Sequence, residues 1–392
     1  MHSARWDWDY KIRGERVGVI GTGATAAQII PEVAHQVASL TNFQRTPAWV
    51  MPRNDKPIPP ARRAIYKYIP FARRRYRASL MDFREGVFDA AYNPESTKHS
   101  HIASVSRQHM MTQLPSCAST KLRAALTPDY PFSCKRIIVS DDFYPALLRP
   151  NVSLETSSIS HITPTGIQVQ SGTHHDLDLL VLATGFKTTQ FMYPIRIFGV
   201  DGVSLSDTWA ASGASAYLGM TVPTLPNFAM LYGPNTNLAH NSLILQIEAQ
   251  SLYINCLISS VLGSKKQIGG NALTLQPKQN VVEGYNREVQ AKLGESTFAD
   301  PRCTSWFKDE KGRITTNWCG SAVDYQKLTN FVDWSDYEIR DGEGNQIEKS
   351  GQTTWRRRVE ETQVTDRALA IGAGVVMLAV MLGLAGWNWG WV

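Results

Sequence analysis

A glycine-rich turn between a short apolar run and an amphipathic stretch constrains the fold more than any other feature of this chain. Residues 17–20 are typical of a buried strand, residues 21–26 follow the pattern G-x-G-x-x-A, and residues 26–40 have helical periodicity. The first glycine permits a tight turn, the second lets a pyrophosphate approach the backbone, and the small third residue lets helix and strand pack closely. The sequence therefore predicts a Rossmann-like α/β unit that binds a dinucleotide at a helix N-terminus. The residues predicted to hold the pyrophosphate are Gly21, Thr22, Gly23, Ala24 and Thr25.

The residues after the second apolar run indicate which dinucleotide is bound. Residues 40–43 are predicted as the next strand, and Gln44, Arg45 and Thr46 stand at its end. An NAD-binding unit places an acidic residue there for the ribose 2′-hydroxyl, whereas an arginine accommodates a 2′-phosphate. We therefore expect these three residues to form a 2′-phosphate site and the cofactor to be NADP(H). The alternative is that Arg45 is only a solvated charge at a strand end.

Composition and the middle of the chain argue against several other kinds of site. Lys and Arg number 40 against 34 Asp and Glu, a net charge of +6 that is too small to indicate nucleic acid. The five cysteines are scattered without a C-x-x-C pair, which argues against a disulfide framework or a zinc ribbon. The histidines at 99, 101 and 109 have no carboxylate at helical spacing, so no metal site is predicted.

Residues 54–133 are arginine-rich and helical in pattern. We interpret them as a solvated helical insertion. The alternative is a contact with anionic lipid.

Apolar runs return after residue 134. Residues 137–139, 152–155, 167–169 and 177–182 are predicted strands, and the last is almost continuously apolar, as in a strand buried on both faces. Small residues follow it at once. These residues, Ala183, Thr184 and Gly185, would let the chain pass close to a cofactor.

The C-terminal residues form a separate apolar segment. Residues 368–386 carry no charge, and at 1.5 Å per residue about 19 residues just span a hydrocarbon core of ~30 Å. Tryptophans follow at 387, 389 and 391, and arginines precede the run. The pattern predicts a transmembrane helix over 368–388, with the large N-terminal part in the cytosol. The alternative is a buried helix of the core.

Several motifs, taken together and in order, resemble the Baeyer–Villiger branch of the flavin-dependent monooxygenases that have two dinucleotide-binding domains. The resemblance extends over about residues 2–340. In chain order the matching residues are His2, Trp6 and Asp7 (the end of a F-x-G-x-x-x-H-x-x-x-W-[PD] fingerprint), 21–26 (an NADPH-binding glycine motif), 44–47 (a 2′-phosphate element), Lys135 with Arg136 (a basic pair), 183–186 (an A-T-G-F segment), 232–237 with 240–242 (a flavin-side segment), and 305–307, 312–313 and 317–318 (the end of a catalytic region).

The same resemblance implies that part of the family's pattern is missing from this sequence. The family has a first G-x-G-x-x-G loop for the FAD pyrophosphate, and this sequence has none. The Phe and Gly of the fingerprint would lie upstream of Met1. We therefore expect a chain that is N-terminally truncated relative to the family, with Met1 an internal methionine taken as a start; the alternative is a degenerate homologue.

The resemblance implies a reaction and a catalytic residue. NADPH would reduce FAD, and the reduced flavin with O₂ would insert one oxygen atom into an apolar ketone, giving an ester or lactone. Arg136 would be catalytic, because a fixed cation keeps the oxidant anionic and stabilises the negative adduct. Lys135 would pair with the NADP phosphate.

Further residues would contact a cofactor or couple the domains. The resemblance implies that Asn235 and Thr236 donate to the flavin ring. His2, with Trp6 and Asp7, would lie in an interdomain linker and couple NADP binding to domain movement.

These inferences predict an α/β fold class: a Rossmann-like NADP-binding domain with a helical insertion, a partial FAD-binding domain and a C-terminal transmembrane helix. The missing parallel strands would leave an apolar face exposed. The predicted division is 1–12 interdomain linker, 13–53 and 134–185 NADP-binding domain, 54–133 helical insertion, 186–345 C-terminal part of the FAD-binding domain, 346–367 charged linker and 368–388 transmembrane helix.

The expected function is therefore that of a single-pass, membrane-anchored monooxygenase that uses FAD, NADPH and O₂, with secondary metabolism as a candidate setting. No nucleic-acid partner is expected. The alternatives are an N- or S-oxygenating flavin monooxygenase and an inactive, membrane-anchored homologue that binds NADP.

Overall fold

A computed structural model describes residues 1–115, 119–267 and 273–355, together with residues 371, 374, 375 and 377–381. In chain order its strands are β1 Arg16–Ile20, β2 Ser39–Phe43, β3 Val50–Met51, β4 Ile138–Val139, β5 Val152–Glu155, β6 Ile159–Thr163, β7 Gly166–Val169, β8 His174–Asp176, β9 Leu179–Leu182, β10 Thr274–Pro277, β11 Phe331–Asp333, β12 Tyr337–Arg340 and β13 Gln352–Thr354. Its helices are α1 Ala24–Ala34, α2 Pro60–Tyr68, α3 Pro70–Gly86, α4 Phe88–Tyr92, α5 Thr97–Gln113, α6 Thr120–Leu126, α7 Phe143–Leu147, α8 Leu205–Ser212, α9 Leu243–Gln267, α10 Gln279–Gly294 and α11 Ala322–Leu328.

Parallel strands form the sheet that carries the glycine turn. Their order is β5-β2-β1-β9, and every neighbouring pair is parallel. Val17 and Val19 of β1 are fully buried in an apolar cluster that also contains residues of α1 and α7. The Rossmann-like unit predicted from the sequence is therefore present. We call residues 13–53 and 134–185 the sheet lobe.

The insertion at 54–133 contributes helices to two different cores. Met110 of α5 and Leu126 of α6 belong to the apolar cluster of the sheet lobe. Met81 of α3 and Tyr92 of α4 belong to a second cluster, formed mainly by residues after 237. Since α2 has no buried residue, the interpretation as a solvated insertion fits α2 but not the helices that follow it.

Residues 186–355 form what we call the helical lobe. Helices α9, α10 and α11 pack around the second cluster, and the antiparallel pairs β10–β12 and β11–β13 lie beside them. Between 186 and 242, all of which the structure describes, the backbone is irregular except for α8, a short 3₁₀ turn and isolated bridges. Large apolar side chains are exposed there, as expected for this region. They include Phe186, Tyr193, Ile195, Phe198 and Leu231, with exposed fractions from 48% to 78%.

A disulfide connects the two lobes. Cys134 of the sheet lobe is bonded to Cys303 of the helical lobe, 169 residues further along the chain. Both residues are buried. The scattered spacing of the cysteines gave no indication of this pair.

The prediction of a transmembrane helix over 368–388, and with it the single-pass membrane localisation, is wrong. Among the residues that the structure describes, no helix is long and apolar enough to cross a membrane. Much of 368–388 lies outside the described residues. Those that are described lie between Ile371 and Met381 and are helical.

Candidate functional site

The glycine turn lies where the carboxyl ends of β1, β2 and β9 meet. The N–H of Gly21 donates to the carbonyl oxygen of Phe43 at 3.0 Å, and Oγ1 of Thr22 donates to the carbonyl oxygen of Thr46 at 2.6 Å. Gly23 is the N-cap of α1, and a Cβ atom there would meet nothing within 4 Å. The first turn of α1, from Ala24, is therefore open at this edge of the sheet, which is the arrangement that binds a phosphate.

The A-T-G segment lies directly against this turn. The N–H of Ala183 donates to the carbonyl oxygen of Ile20 at 3.0 Å. Gly21 has a φ of +120°, and a Cβ atom there would lie 2.5 Å from the carbonyl oxygen of Ala183. Thr184 and Gly185 follow and are exposed. The turn thus requires glycine at 21 for its backbone conformation and for this contact.

Two positively charged side chains lie beside the glycine turn. Arg45 is exposed at the end of β2, and Nζ of Lys135 lies 3.4 Å from Oγ1 of Thr46 and 4.5 Å from the ring centre of Tyr130. Burial lowers the pKa of Lys135, and the positive charge of Arg45 lowers it further. A phosphate between these residues would offset their mutual repulsion, so the geometry suits an anionic ligand.

Gln44 faces away from that edge. The residue is 6% exposed, and its Nε2 donates to the carbonyl oxygen of Ala125 in the insertion at 2.6 Å. Its backbone N–H donates to Glu155 at 2.8 Å. A contact between this side chain and a 2′-phosphate, as predicted, does not fit these bonds. Of the predicted trio, Arg45 and Thr46 lie near Lys135, whereas the side chain of Gln44 connects β2 to the insertion.

Of the three fingerprint residues, His2 lies against the A-T-G segment. His2 forms an isolated parallel bridge with Leu182, and its Nε2 lies 3.3 Å from the carbonyl oxygen of Gly185. Trp6 packs against the apolar cluster of the sheet lobe, while Asp7 is exposed. The structure therefore places His2 beside a residue predicted to contact a cofactor.

A cavity of about 410 Å³ lies in the helical lobe between the irregular segment and the 305–316 region. Most of its wall is apolar, with a few hydrogen-bonding side chains, as is typical of sites for small molecules. Its lining residues are Thr188, Phe191, Met192, Met230, Leu231, Tyr232, Gly233, Asn237, Trp306 and Thr316.

Arg136 lies near the tyrosine of this cavity. Burial raises the pKa of Tyr232, and the charge of Arg136 acts in the opposite direction, so the two side chains are within electrostatic reach. Arg136 itself is exposed. The hydroxyl of Tyr232 donates to Oδ1 of Asn237 at 3.0 Å. Lys135 thus lies beside the glycine turn, and Arg136 is close enough to Tyr232 for its charge to act on that hydroxyl.

The side chains of Asn235 and Thr236 are engaged inside the protein. Nδ2 of Asn235 donates to the carbonyl oxygens of Ile314 and Asn317 at 2.8 and 2.9 Å. Oγ1 of Thr236 donates to Gly233 at 2.7 Å, and both side chains are buried. Their side-chain donors therefore have acceptors within the protein, and the contact of these residues with a flavin ring stays a prediction.

The chain is similar over most of its length to known monooxygenases. It is 41% identical over 391 residues to the FAD-binding monooxygenase ktnD of Aspergillus niger, covering 100% of this chain and 63% of that protein. It is 38% identical over 339 residues to a Baeyer–Villiger monooxygenase of Streptomyces coelicolor, covering 86% of this chain and 63% of that protein. Among solved structures it matches the OTEMO complex with FAD and NADP, with a TM-score of 0.70 and 26% identity over 86% of this chain and 70% of that one. It also matches an oxidised steroid monooxygenase bound to NADP, with a TM-score of 0.71 and 25% identity over 86% and 69% of the two chains.

This chain is homologous to the Baeyer–Villiger monooxygenases. The resemblance inferred from its motifs is confirmed by these identities and by the shared fold. The chain spans about 63% of the length of the two curated relatives named above. A scan against models of protein families found no match. Among the residues that the structure describes, no group of three or more possible metal ligands occurs.

The Baeyer–Villiger resemblance did not identify every residue that shapes the site. Asn237 lines the cavity, whereas its neighbours Asn235 and Thr236 do not. Glu85, in a helix interpreted as solvated, binds His240 and Asn241 of the flavin-side segment. The asparagine could have been included because it belongs to the same short motif. No sequence signal links Glu85 to residues 155 positions away.

Proposed function

We propose that this chain takes part in FAD- and NADPH-dependent oxygenation of an apolar ketone to an ester or lactone. The position of the basic pair supports this proposal. Lys135 lies beside the glycine turn, and Arg136, next in the chain, lies near Tyr232 of the apolar cavity. A nicotinamide dinucleotide held by the turn and a ring system in the cavity would thus lie on two sides of one short segment.

The glycine turn supports NADPH as the dinucleotide. Its backbone and the open first turn of α1 fit a pyrophosphate. Arg45 and Lys135 fit a 2′-phosphate, because a guanidinium binds phosphate through two parallel hydrogen bonds and an ammonium adds a point charge.

The cavity supports a flavin and an apolar substrate. Its wall combines apolar side chains with the hydrogen-bonding groups of Tyr232 and Asn237, which suits a flat ring with polar edges. When bound, FAD supplies the oxygen-transfer chemistry. The chain's own part is to exclude water with Trp306, Phe191 and Met192, and to hold a permanent positive charge at Arg136 where negative charge develops.

Turnover with labelled oxygen tests this proposal. The purified chain is incubated with FAD, NADPH, a cyclic ketone and ¹⁸O₂, and the products are analysed by mass spectrometry. We expect a lactone that contains one ¹⁸O atom, and one NADPH consumed for each lactone formed. Oxygenation of an amine or thioether instead of the ketone would favour an N- or S-oxygenase. NADPH binding without flavin retention or turnover would favour the non-catalytic alternative.

Arginine variants test the role proposed for Arg136. We expect Arg136→Met to lower ketone-dependent turnover by about 100-fold while the Kd for NADPH changes less than about twofold, because losing one oxyanion-stabilising group costs on that order. Arg149→Met is the control. Arg149 is exposed and precedes β5, so it lies near the amino ends of the parallel strands, whereas the glycine turn lies at their carboxyl ends. Equal turnover in both variants would contradict the role of Arg136.

A further inference from the structure

A carboxylate of the insertion is buried against the segment that lines the cavity. Glu85 lies at the end of α3, and its Oε1 accepts a hydrogen bond from Nδ2 of Asn241 at 2.6 Å. Nε2 of His240 lies 3.2 Å from the same oxygen. The backbone N–H groups of Ala322 and Val323, in the first turn of α11, donate to the two carboxylate oxygens at 3.4 and 3.3 Å. One carboxylate therefore joins three separate stretches of chain.

This contact is well shielded from water. The side chain of His240 has no exposed surface, and that of Glu85 is 16% exposed. The rings of Phe88 and Tyr92 lie 5.3 and 5.9 Å from the imidazole, so the pair is enclosed by aromatic side chains. Burial acts to raise the pKa of Glu85, but hydrogen bonds from the helical lobe and the charge of His240 outweigh it and lower the pKa to about 2. The ionised carboxylate is thus the form that the fold favours.

The segment from 232 to 242 has little other backbone support on this side. It contains no helix or longer strand, although every residue in it is described. Its first half is bonded to residues 314–317, through the N–H of Asn237 to Thr316 at 2.9 Å and through the side chain of Asn235. Its second half is bonded to Glu85. Tyr232 and Asn237 of this segment line the cavity.

We propose that Glu85 is a positioning residue for the cavity. Through His240 and Asn241 it fixes the segment 232–242, so that Tyr232 and Asn237 keep their places on the cavity wall. A helix inserted between two parts of the sheet lobe thereby sets the shape of a site in the helical lobe. An effect of Glu85 on flavin binding rests on the proposed function, which places the flavin in this cavity.

Hydrogen exchange of the intact chain tests the contact without requiring any cofactor. We expect Glu85→Gln to speed amide exchange in peptides covering 232–242 by about tenfold or more, because the segment loses a charged hydrogen-bond acceptor. Peptides covering α1 should exchange at the wild-type rate. Asp82→Asn is the matched control: Asp82 lies on the same helix, one turn away, and is exposed. Wild-type exchange at 232–242 in folded Glu85→Gln protein would overturn the proposal.

Two further measurements separate positioning from general loss of structure. If Glu85→Gln does not fold, Asn241→Leu removes the 2.6 Å bond and keeps the carboxylate, and faster exchange at 232–242 is again expected. For FAD, the Kd should rise about tenfold in either variant while the Kd for NADPH stays within twofold; an equal rise of both constants would contradict a local role. If wild-type protein binds no FAD, the proposed function fails, and the exchange rates still decide the role of Glu85.

Discussion

The two lobes hold their candidate sites in different ways. In the sheet lobe the glycine turn follows β1 directly, and Arg45 follows β2, so backbone ladders between parallel strands place both. In the helical lobe the cavity is lined by an irregular segment, which side-chain bonds from Asn317, Gln290 and Glu85 hold in place. A site at strand ends is thus positioned by backbone hydrogen bonds of a regular sheet, whereas a site on irregular backbone is positioned by individual side-chain bonds, each of which one substitution can remove.

Replacing Gly21 should have the largest effect on stability and cofactor binding, because it distorts the backbone turn that forms the sheet-lobe site. Gly21→Ala combines a φ of +120° with a Cβ atom 2.5 Å from the carbonyl oxygen of Ala183. We expect a loss of about 2–4 kcal/mol in the free energy of unfolding and at least tenfold weaker NADPH binding. Urea titration and fluorescence titration measure the two quantities.

Gly14→Ala is the control for this substitution. Gly14 also has a positive φ, +81°, but a Cβ atom there would meet nothing within 4 Å. We expect about 1–2 kcal/mol of strain and unchanged NADPH affinity. Equal losses of NADPH affinity in the two variants would show that the close approach to Ala183 is unimportant.

Replacing Glu85 should affect stability nearly as much, and in a pH-dependent way. The pKa of this carboxyl is lowered from 4.5 to about 2. The contribution of the ionised form is therefore fully present above about pH 4.5 and is lost as the pH falls towards 2. We expect Glu85→Gln to cost about 2–3 kcal/mol at pH 7 and to flatten the pH dependence of stability between pH 4.5 and 2. Urea titrations across that range measure both quantities. If the stability of the variant fell with pH in parallel with that of the wild type, the proposed contribution of the ionised Glu85 would be contradicted.

The same contrast explains which predictions from the sequence are confirmed. The apolar runs at 17–20, 40–43 and 152–155, and residues 179–182 of the run at 177–182, are observed as strands. The motif after the first run forms the expected turn, because periodicity and glycine positions act over a few residues. The contact from Glu85 to His240 and the bond between Cys134 and Cys303 join residues 155 and 169 positions apart. Such pairs arise from packing, which a single sequence does not show.

The sequence did not show the surroundings of two further features. Nearby carbonyl oxygens accept the side-chain hydrogen bonds of Asn235 and Thr236, and the assignment of these residues to a ligand stays a prediction. The length, the lack of charge and the flanking residues of the apolar run at 368–386 predicted a membrane span, but no helix among the described residues is long and apolar enough to form one. The assigned roles of Arg45, Lys135 and Arg136 remain predictions, and the domain boundaries do as well.

Replacing Arg45 should have a smaller effect, confined to one cofactor. Arg45 is exposed, so its loss should leave stability within about 0.5 kcal/mol of the wild type. We expect Arg45→Ala to weaken NADPH binding by about 10- to 30-fold and to leave NADH binding unchanged, because only NADPH carries the 2′-phosphate. Titrations with both nucleotides, and with Arg149→Ala as control, measure this. Parallel losses for NADPH and NADH would place Arg45 outside the 2′-phosphate site.

The smallest effect on stability is expected at exposed apolar residues. One such residue in each lobe allows a direct comparison of exposed apolar surface. Ile195 of the helical lobe and Ile162 of the sheet lobe are both 60% exposed. Tyr193 and Phe198, close to Ile195 in sequence, are exposed as well, and such clusters promote association more than isolated residues do. We expect Ile195→Lys and Ile162→Lys each to change stability by less than about 0.5 kcal/mol. Only Ile195→Lys should lower aggregation and the binding of a hydrophobic dye. Reduced dye binding in both variants would show that the two lobes do not differ in exposed apolar surface. Unchanged dye binding in both would show that the irregular segment is covered in solution.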